Sequence, residues 1–166
     1  MLLPLLLTLQ SVSPVPPTAA PDVVVTGERL KAIYDQCRAR GCIPLRDAQA
    51  SIACAETLFR DGRYVDVKNT LRDAAARNKR FAATHPKPVP AIHEAYATVS
   101  WHEGDQDVYQ RATAARVRTL RANLPADDPA VRTAALALGD MWVRLRAPFD
   151  AERAYVLAEP QGIEGG

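Results

Sequence analysis

The sequence predicts an all-α fold built as a stack of helical hairpins, and three observations predict it. The chain is rich in Ala and Arg and has only 6% aromatic residues; Ala-rich, β-branch-poor sequence favours helix. Leu30, Ile33, Tyr34 and Cys37 recur at the i, i+3, i+4, i+7 spacing of one helical face. Pro44, Pro86 and Pro129 stand 42 and 43 residues apart, and each precedes or opens an Ala-rich helical stretch. A period in the forties made of two helices is that of a helical solenoid, in which each hairpin buries its apolar face against the next.

The bulk numbers bound the answer. A chain of 166 residues holds one domain, and 48% hydrophobic with 24% charged content is globular. A net charge of +2 makes no case for nucleic acid or for an anionic membrane.

At the N-terminus, Leu2 to Leu9 form a short apolar run, followed by small residues and Pro up to Thr18-Ala19-Ala20, with no charge before Asp22. The run is shorter than the about 20 residues a bilayer span needs. It fits the core of a secretory signal peptide over residues 1–20, cleaved near Ala19 or Ala20. No Lys or Arg precedes it, and Pro14 and Pro21 directly follow small residues. With no Cys near the run, a lipid anchor is not indicated. The expectation is a protein of the periplasm or a secreted one, with no stable membrane insertion after cleavage.

Residues 21–27 (PDVVVTG) read as an extended lead-in. Thr26 is placed to cap a helix whose first turn holds Glu28, where the helix dipole favours an anion. That helix runs to Arg40 and stops at Gly41, the usual left-handed C′ residue. The hairpin helices follow at 45–60 and 64–83, at 90–103 and 106–123, and at 130–146 and 149–158. Asp128-Pro129 is a clean start, a capping carboxylate followed by Pro at the first helical position. Of Pro86, Pro88 and Pro90, Pro90 is the better first helical residue. Glu103-Gly104-Asp105 is a turn. Counted from the three spaced prolines, Ala55, Ala97 and Asp140 correspond, then Gly62, Gly104 and Ala147, then Tyr64, Gln106 and Phe149. Small residues fall where a helix ends or where two helices touch. Residues 159–166 read as a disordered tail, which leaves Tyr155, Val156 and Leu157 at an uncapped edge and available for self-association.

Three cysteines, Cys37, Cys42 and Cys54, leave one over if a disulfide forms. When Gly41 ends a helix, the residue after it packs against the residue four before it. Those residues are Cys42 and Cys37, and a disulfide there staples the helix end. Cys42 with Cys54, and Cys37 with Cys54, are the competing pairs. The C-x-x-x-x-C spacing is neither a redox C-x-x-C nor part of a zinc set.

The pattern resembles the tetratricopeptide-repeat family in its longer form of about 42 residues, seen in kinesin-light-chain-like proteins. The first unit matches through Ala55, Leu58, Gly62, Tyr64, Leu71 and Ala74, with Val67 where Ala is usual. The third is similar through Gly139, Trp142, Phe149, Ala151, Tyr155 and Ala158, allowing one deletion after Phe149. Leu124 to Pro129 resembles the linker between repeats. The middle unit keeps Ala97 and Gly104 but has Gln106 where an aromatic is expected. The resemblance covers residues 44–158 and implies a right-handed superhelix of about three repeats behind an N-terminal helix, within a repeat domain spanning 28–158. It also implies a concave groove, lined by the first helix of each pair, that holds a segment of a partner protein. In register, its positions are Gln49, Ile52, Glu56, Phe59 and Arg60, then Glu94, Thr98, Trp101 and His102, then Met141, Arg144 and Leu145. Glu56, Phe59, Arg60, Trp101, His102 and Arg144 are the expected partner-binding residues, with Phe59 and Trp101 as aromatic anchors.

No catalytic constellation emerges, so an enzyme is not expected. There is no phosphate loop, no G-x-S-x-G and no H-E-x-x-H. His93 and His102 lie nine residues apart, on opposite faces of a helix, and cannot share a metal; His85 sits in a Pro-flanked loop. Asp105 and Asp107 make a lone D-x-D, in which Asp105 reads as an N-cap. Arg111, Arg116, Arg118 and Arg121 read as a solvated convex face. No cofactor and no metal is expected. The partner is another protein, not nucleic acid. The alternatives are an assembly factor of an envelope complex or a thiol enzyme using Cys54. Val23-Val24-Val25-Thr26-Gly27 also resembles the mature N-terminus of TonB-coupled outer-membrane receptors.

Overall fold

The computed structural model describes residues 27–159, which form seven α-helices with no strand among them. α1 (Gly27–Arg40) precedes three hairpins: α2 (Pro44–Arg60) with α3 (Tyr64–Asn78), α4 (Pro88–His102) with α5 (Gln106–Asn123), and α6 (Pro129–Arg144) with α7 (Pro148–Val156). Each helix packs on the next in sequence, and α2 also touches α4. The expected signal segment 1–20, lead-in residues 21–26 with the Thr26 cap, and tail residues 160–166 lie outside the described residues. Gly27, expected at the end of the lead-in, is the first residue of α1.

The hairpin turns set the period. Helices α2, α4 and α6 end at Arg60, His102 and Arg144, and their partners begin at Tyr64, Gln106 and Pro148, so both borders repeat every 42 residues. Each turn closes with the same pair of backbone bonds. In the first, Gly62 N–H donates to Phe59 O at 3.0 Å and Arg63 N–H to Leu58 O at 2.9 Å. In the second, Gly104 donates to Trp101 O at 3.1 Å and Asp105 to Ser100 O at 2.9 Å; in the third, Arg146 donates to Val143 O at 3.0 Å and Ala147 to Trp142 O at 2.9 Å. This is the Schellman closure, which satisfies the last carbonyls of a helix by putting one residue in the left-handed region. That residue is Gly62 (φ 72°), Gly104 (φ 73°) and then Arg146 (φ 59°). The proline count therefore slips by one in the third unit: the equivalents of Gly62 and Ala55 are Arg146 and Gly139, not Ala147 and Asp140. The spacing varies in the connectors between hairpins instead.

Helix borders differ from expectation for local reasons. α3 stops at Asn78, whose side-chain Nδ2 donates to Ala74 O at 2.9 Å, and Lys79–Phe81 tighten into a 3-10 turn. α4 starts at Pro88 rather than Pro90. Both prolines fit because the first-turn N–H groups have no partner within a helix. α6 and α7 each end two residues earlier than expected, at Arg144 and Val156.

Two apolar cores result. Tyr34, Leu58, Val67, Leu71 and Ile92 join α1 through α4, and Val117, Leu120, Val131, Leu138, Met141 and Ala154 join α5 through α7. A buried polar knot ties the first hairpin. Asp47 of α2 accepts from Arg77 Nη2 at 2.9 Å and from Asn78 Nδ2, both of α3, while Arg77 also reaches Ser51 Oγ at 3.3 Å. The same guanidinium lies 5.6 Å from the Tyr34 ring centroid, which brings α1 into the knot. In the third hairpin the Tyr155 ring occupies the space where a Cβ of Gly139 would stand, and its hydroxyl donates to Asp140 Oδ1 at 2.7 Å. The equivalent pairs in the earlier hairpins are Ala55 with Leu71 and Ala97 with Thr113.

Two predictions follow from these contacts. Arg146→Gly removes the cost of a left-handed non-glycine residue and raises stability by about 1 kcal/mol in urea unfolding, whereas Gly104→Ala lowers it by about 1–2 kcal/mol. Gly139→Ala destabilises by about 1–3 kcal/mol through overpacking, against the ~1 kcal/mol that Ala gains over Gly in a helix. Adding Tyr155→Leu to Gly139→Ala restores a pair like that of the first hairpin and returns the unfolding midpoint to near wild type.

Candidate functional site

Between α2 and α4 the surface opens into a groove of about 450 Å³. Ile52, Ala55 and Leu71 on one side and Ala95 and Val99 on the other give it apolar walls, and Glu56, Arg60, Thr98 and His102 bring polar groups to it. The volume falls within the roughly 300–1,000 Å³ common for binding sites, and so does the mixture of apolar lining with a few polar groups. Ala55 and Ala95 present only methyl groups to this opening. Phe59 closes one end. Its ring meets Tyr64 edge-on at 5.2 Å between centroids and His102 at 5.8 Å.

One repeat further on, the arrangement recurs. Trp101 is 41% exposed, stands 5.1 Å from the Tyr109 ring, and carries the Arg144 guanidinium 5.5 Å above its centroid. Phe59 with His102 and Trp101 with Arg144 are the same contact displaced by one hairpin: an aromatic at the end of one first helix meets a nitrogen-bearing side chain at the end of the next. A cation over an exposed ring contributes about 0.5–1 kcal/mol. The two contacts form a ladder along the hairpin ends.

The six expected partner-binding residues therefore divide. Glu56, Phe59, Arg60 and His102 come together at the groove, while Trp101 and Arg144 form the second rung beside it. Of the other register positions, Ile52 and Thr98 line the groove, Gln49 is exposed on α2, and Glu94 pairs with Arg116 of α5 at 3.0 Å. Two belong elsewhere. Met141 is fully buried in the second core, and Leu145 is half-buried against it, because both point toward α5 and α7 rather than toward α4. Ala55, Ala95, Val99 and Leu71 were not among the expected groove residues. The stripe Ala95, Thr98, Val99, His102 at helical spacing carried the signal for two of them; nothing local marks Leu71, which reaches the groove from the second helix of the hairpin.

The remaining candidates also find places. Cys37 and Cys42 pair as a disulfide with their Cα atoms 4.9 Å apart, beside Gly41 (φ 76°), whose N–H donates to Cys37 O at 3.0 Å. The two competing pairs are thereby excluded, and Cys54 is a free, buried thiol. Closing so short a loop stabilises by about 2 kcal/mol in the chain-entropy account. Asp105 caps α5, accepting from Val108 N–H at 3.2 Å. Lys68 of α3 reaches across to this turn, 2.8 Å from Glu103 and 2.9 Å from Asp105. Its hydrogen bonds to both carboxylates raise the Lys68 pKa, and the bond from Lys68 lowers that of Asp105. His93 and His102 line different openings on α4. Arg116 is half-buried in its pair with Glu94, so the α5 arginines are not uniformly solvated. At the expected exposed edge, Tyr155 and Leu157 are half-buried and only Val156 stands clear, at 58% exposure. No helix among the described residues is long and apolar enough to cross a membrane.

Fold and groove define an all-α protein of three helical hairpins packed in series behind a single N-terminal helix, with an apolar opening between the first two hairpins. No protein-family model matches the chain, and no curated protein matches it.

Burial pushes the Cys54 thiol up, with nearby Asp35 acting in the same direction, so the reactive thiolate is suppressed. Iodoacetamide at pH 8 is expected to leave Cys54 unmodified in the folded protein and to alkylate it in guanidinium, as read by intact mass.

Proposed function

We propose that this protein is an exported interaction module, resembling a tetratricopeptide-repeat protein, that holds an apolar segment of a partner protein in the groove between α2 and α4. The observation that carries the reading is the opening of about 450 Å³ with apolar walls and with Glu56, Arg60 and His102 around it. An extended or helical segment placing one or two apolar side chains there would bury them against Ile52, Leu71 and Val99, and its backbone or polar side chains would meet the three polar groups. Phe59 and Trp101 supply the rigid aromatic surface that binding hot spots favour. Export is supported by the apolar run Leu2 to Leu9 and by the Cys37–Cys42 bridge, a bond that persists in oxidising compartments.

Thr98 gives the cleanest test because it is exposed and lines the groove. Thr98→Arg fills the opening with a bulky charged chain while slightly improving helix propensity, so stability should change by no more than about 0.5 kcal/mol. In crosslinking capture from envelope extract, a partner held by the wild type is expected to be lost from Thr98→Arg. A partner retained equally by both proteins would move the site away from the groove.

A further inference from the structure

A second pair of openings lies along α5, and one residue joins them. The first, of about 420 Å³, is bounded by the end of α3, by α4 and by α5, with Ala75, Val89 and Ala115 among its walls. Lys79, His93 and Arg118 bring nitrogen groups to it from three different segments, and no carboxylate lines it. The second, also about 420 Å³, has walls from Val117, Leu138 and Leu157 and is lined by Arg118 and Arg121, again with no carboxylate. Arg118 lines both.

The charges here are uncompensated. Lys79, Arg118 and Arg121 form no ion pair among the described residues. The carboxylate nearest in sequence to His93, that of Glu94, is engaged by Arg116. Among the described residues the only histidine side-chain hydrogen bond is that of His85 with Thr84, so the half-buried His93 ring has none. Burial first, and the Arg118 charge second, hold its pKa below the ordinary value. A ring in that state is neutral near pH 7 and gains a proton if an anion arrives to offset both effects.

We propose that the α3–α4–α5 opening is a binding site for a phosphate monoester with an apolar body, independent of the groove between α2 and α4. Two fixed cations, Lys79 and Arg118, match a group that carries close to two negative charges. The imidazole can donate to the bound oxygens through a neutral N–H, and a dianionic group beside it offsets the burial and the Arg118 charge that disfavour its protonated form. The alanine and valine walls give an alkyl or aryl body an apolar surface, and the neighbouring opening across Arg118 extends that surface.

The test follows the three histidine rings by NMR through a pH titration of the disulfide-bonded protein. The additions are sodium phosphate and octyl phosphate, against sodium chloride at matched ionic strength. The His93 midpoint is expected to rise by about one unit with octyl phosphate, a tenfold preference of the ligand for the protonated ring. His85 and His102 are expected to stay in place, and inorganic phosphate to give a smaller rise at His93. Arg118→Gln, an exposed substitution checked by its unchanged unfolding midpoint, is expected to abolish the rise. Vesicles of phosphatidylcholine containing phosphatidic acid form the second arm: a rise with these alone assigns the phosphate to a lipid headgroup, and a rise with octyl phosphate assigns it to a soluble ligand. Absence of a rise at His93 with both octyl phosphate and the phosphatidic acid vesicles, an equal rise at all three histidines, or an undiminished rise in Arg118→Gln would overturn the proposal.

Discussion

The left-handed residue at the end of each first helix is the constraint on which the stack depends. A helix leaves its last carbonyls without partners, and reversing the chain within a few residues while satisfying them requires one residue at positive φ. Gly62 and Gly104 meet that requirement without steric cost, whereas Arg146 meets it against its own preference. That the third turn closes with the same two bonds despite an arginine shows how strongly the packing of α6 on α7 fixes the geometry. Because the closure is the same three times, second helices begin at a constant interval, and the contacts at the helix ends, Phe59 with His102 and Trp101 with Arg144, recur 42 residues apart.

Within that frame the hairpins are fitted together by different means. The first is held by a polar knot, Asp47 with Arg77 and Asn78, in which a nearly buried carboxylate is matched by a guanidinium and an amide. Removing one partner from such a knot leaves a buried charge uncompensated, so it enforces one pairing of α2 with α3 more than it adds net stability. α1 is fixed at its far end by the Cys37–Cys42 bridge and along its length by Tyr34 against Arg77. The third hairpin relies on shape, a glycine facing a tyrosine ring. The first-helix position is small in every hairpin, Ala55, Ala97 and Gly139, and is smallest where its partner is the largest, Tyr155, as close packing demands.

Function in such a protein is a property of the surfaces between hairpins. At the α2–α4 groove, Ile52, Ala55, Ala95 and Val99 leave apolar surface uncovered between neighbouring first helices. The ladder of Phe59 with His102 and Trp101 with Arg144 extends the same surface onto the next unit and stiffens it. Across the stack, α5 presents arginines between alanine walls, a surface of opposite character to the groove.

Although the end of α3 and the register of the third unit came out differently, the sequence by itself determined the all-α class, the number of α-helices among the described residues and each helix start to within two residues. These depend on local chemistry: glycine at positive φ, proline in a first turn, Asp105 and Asp128 as caps, and apolar spacing along one face. The same local argument favoured the Cys37–Cys42 bridge, since both residues flank one helix end, but only the structure excluded the pairs with Cys54. Only the tertiary structure decided which side chains share a surface. Met141 and Trp101 both sit late in a first helix, yet one is sealed in a core and the other lies half in solvent. Leu71 joins the groove from a second helix, and His93 and Arg118 line one opening from the two helices of the second hairpin together with Lys79 from beyond α3. Those outcomes depend on the rotation of each helix about its axis and on what packs against it, and a one-residue error in register, as with Arg146 and Ala147, turns a side chain by about 100° and places it on another face.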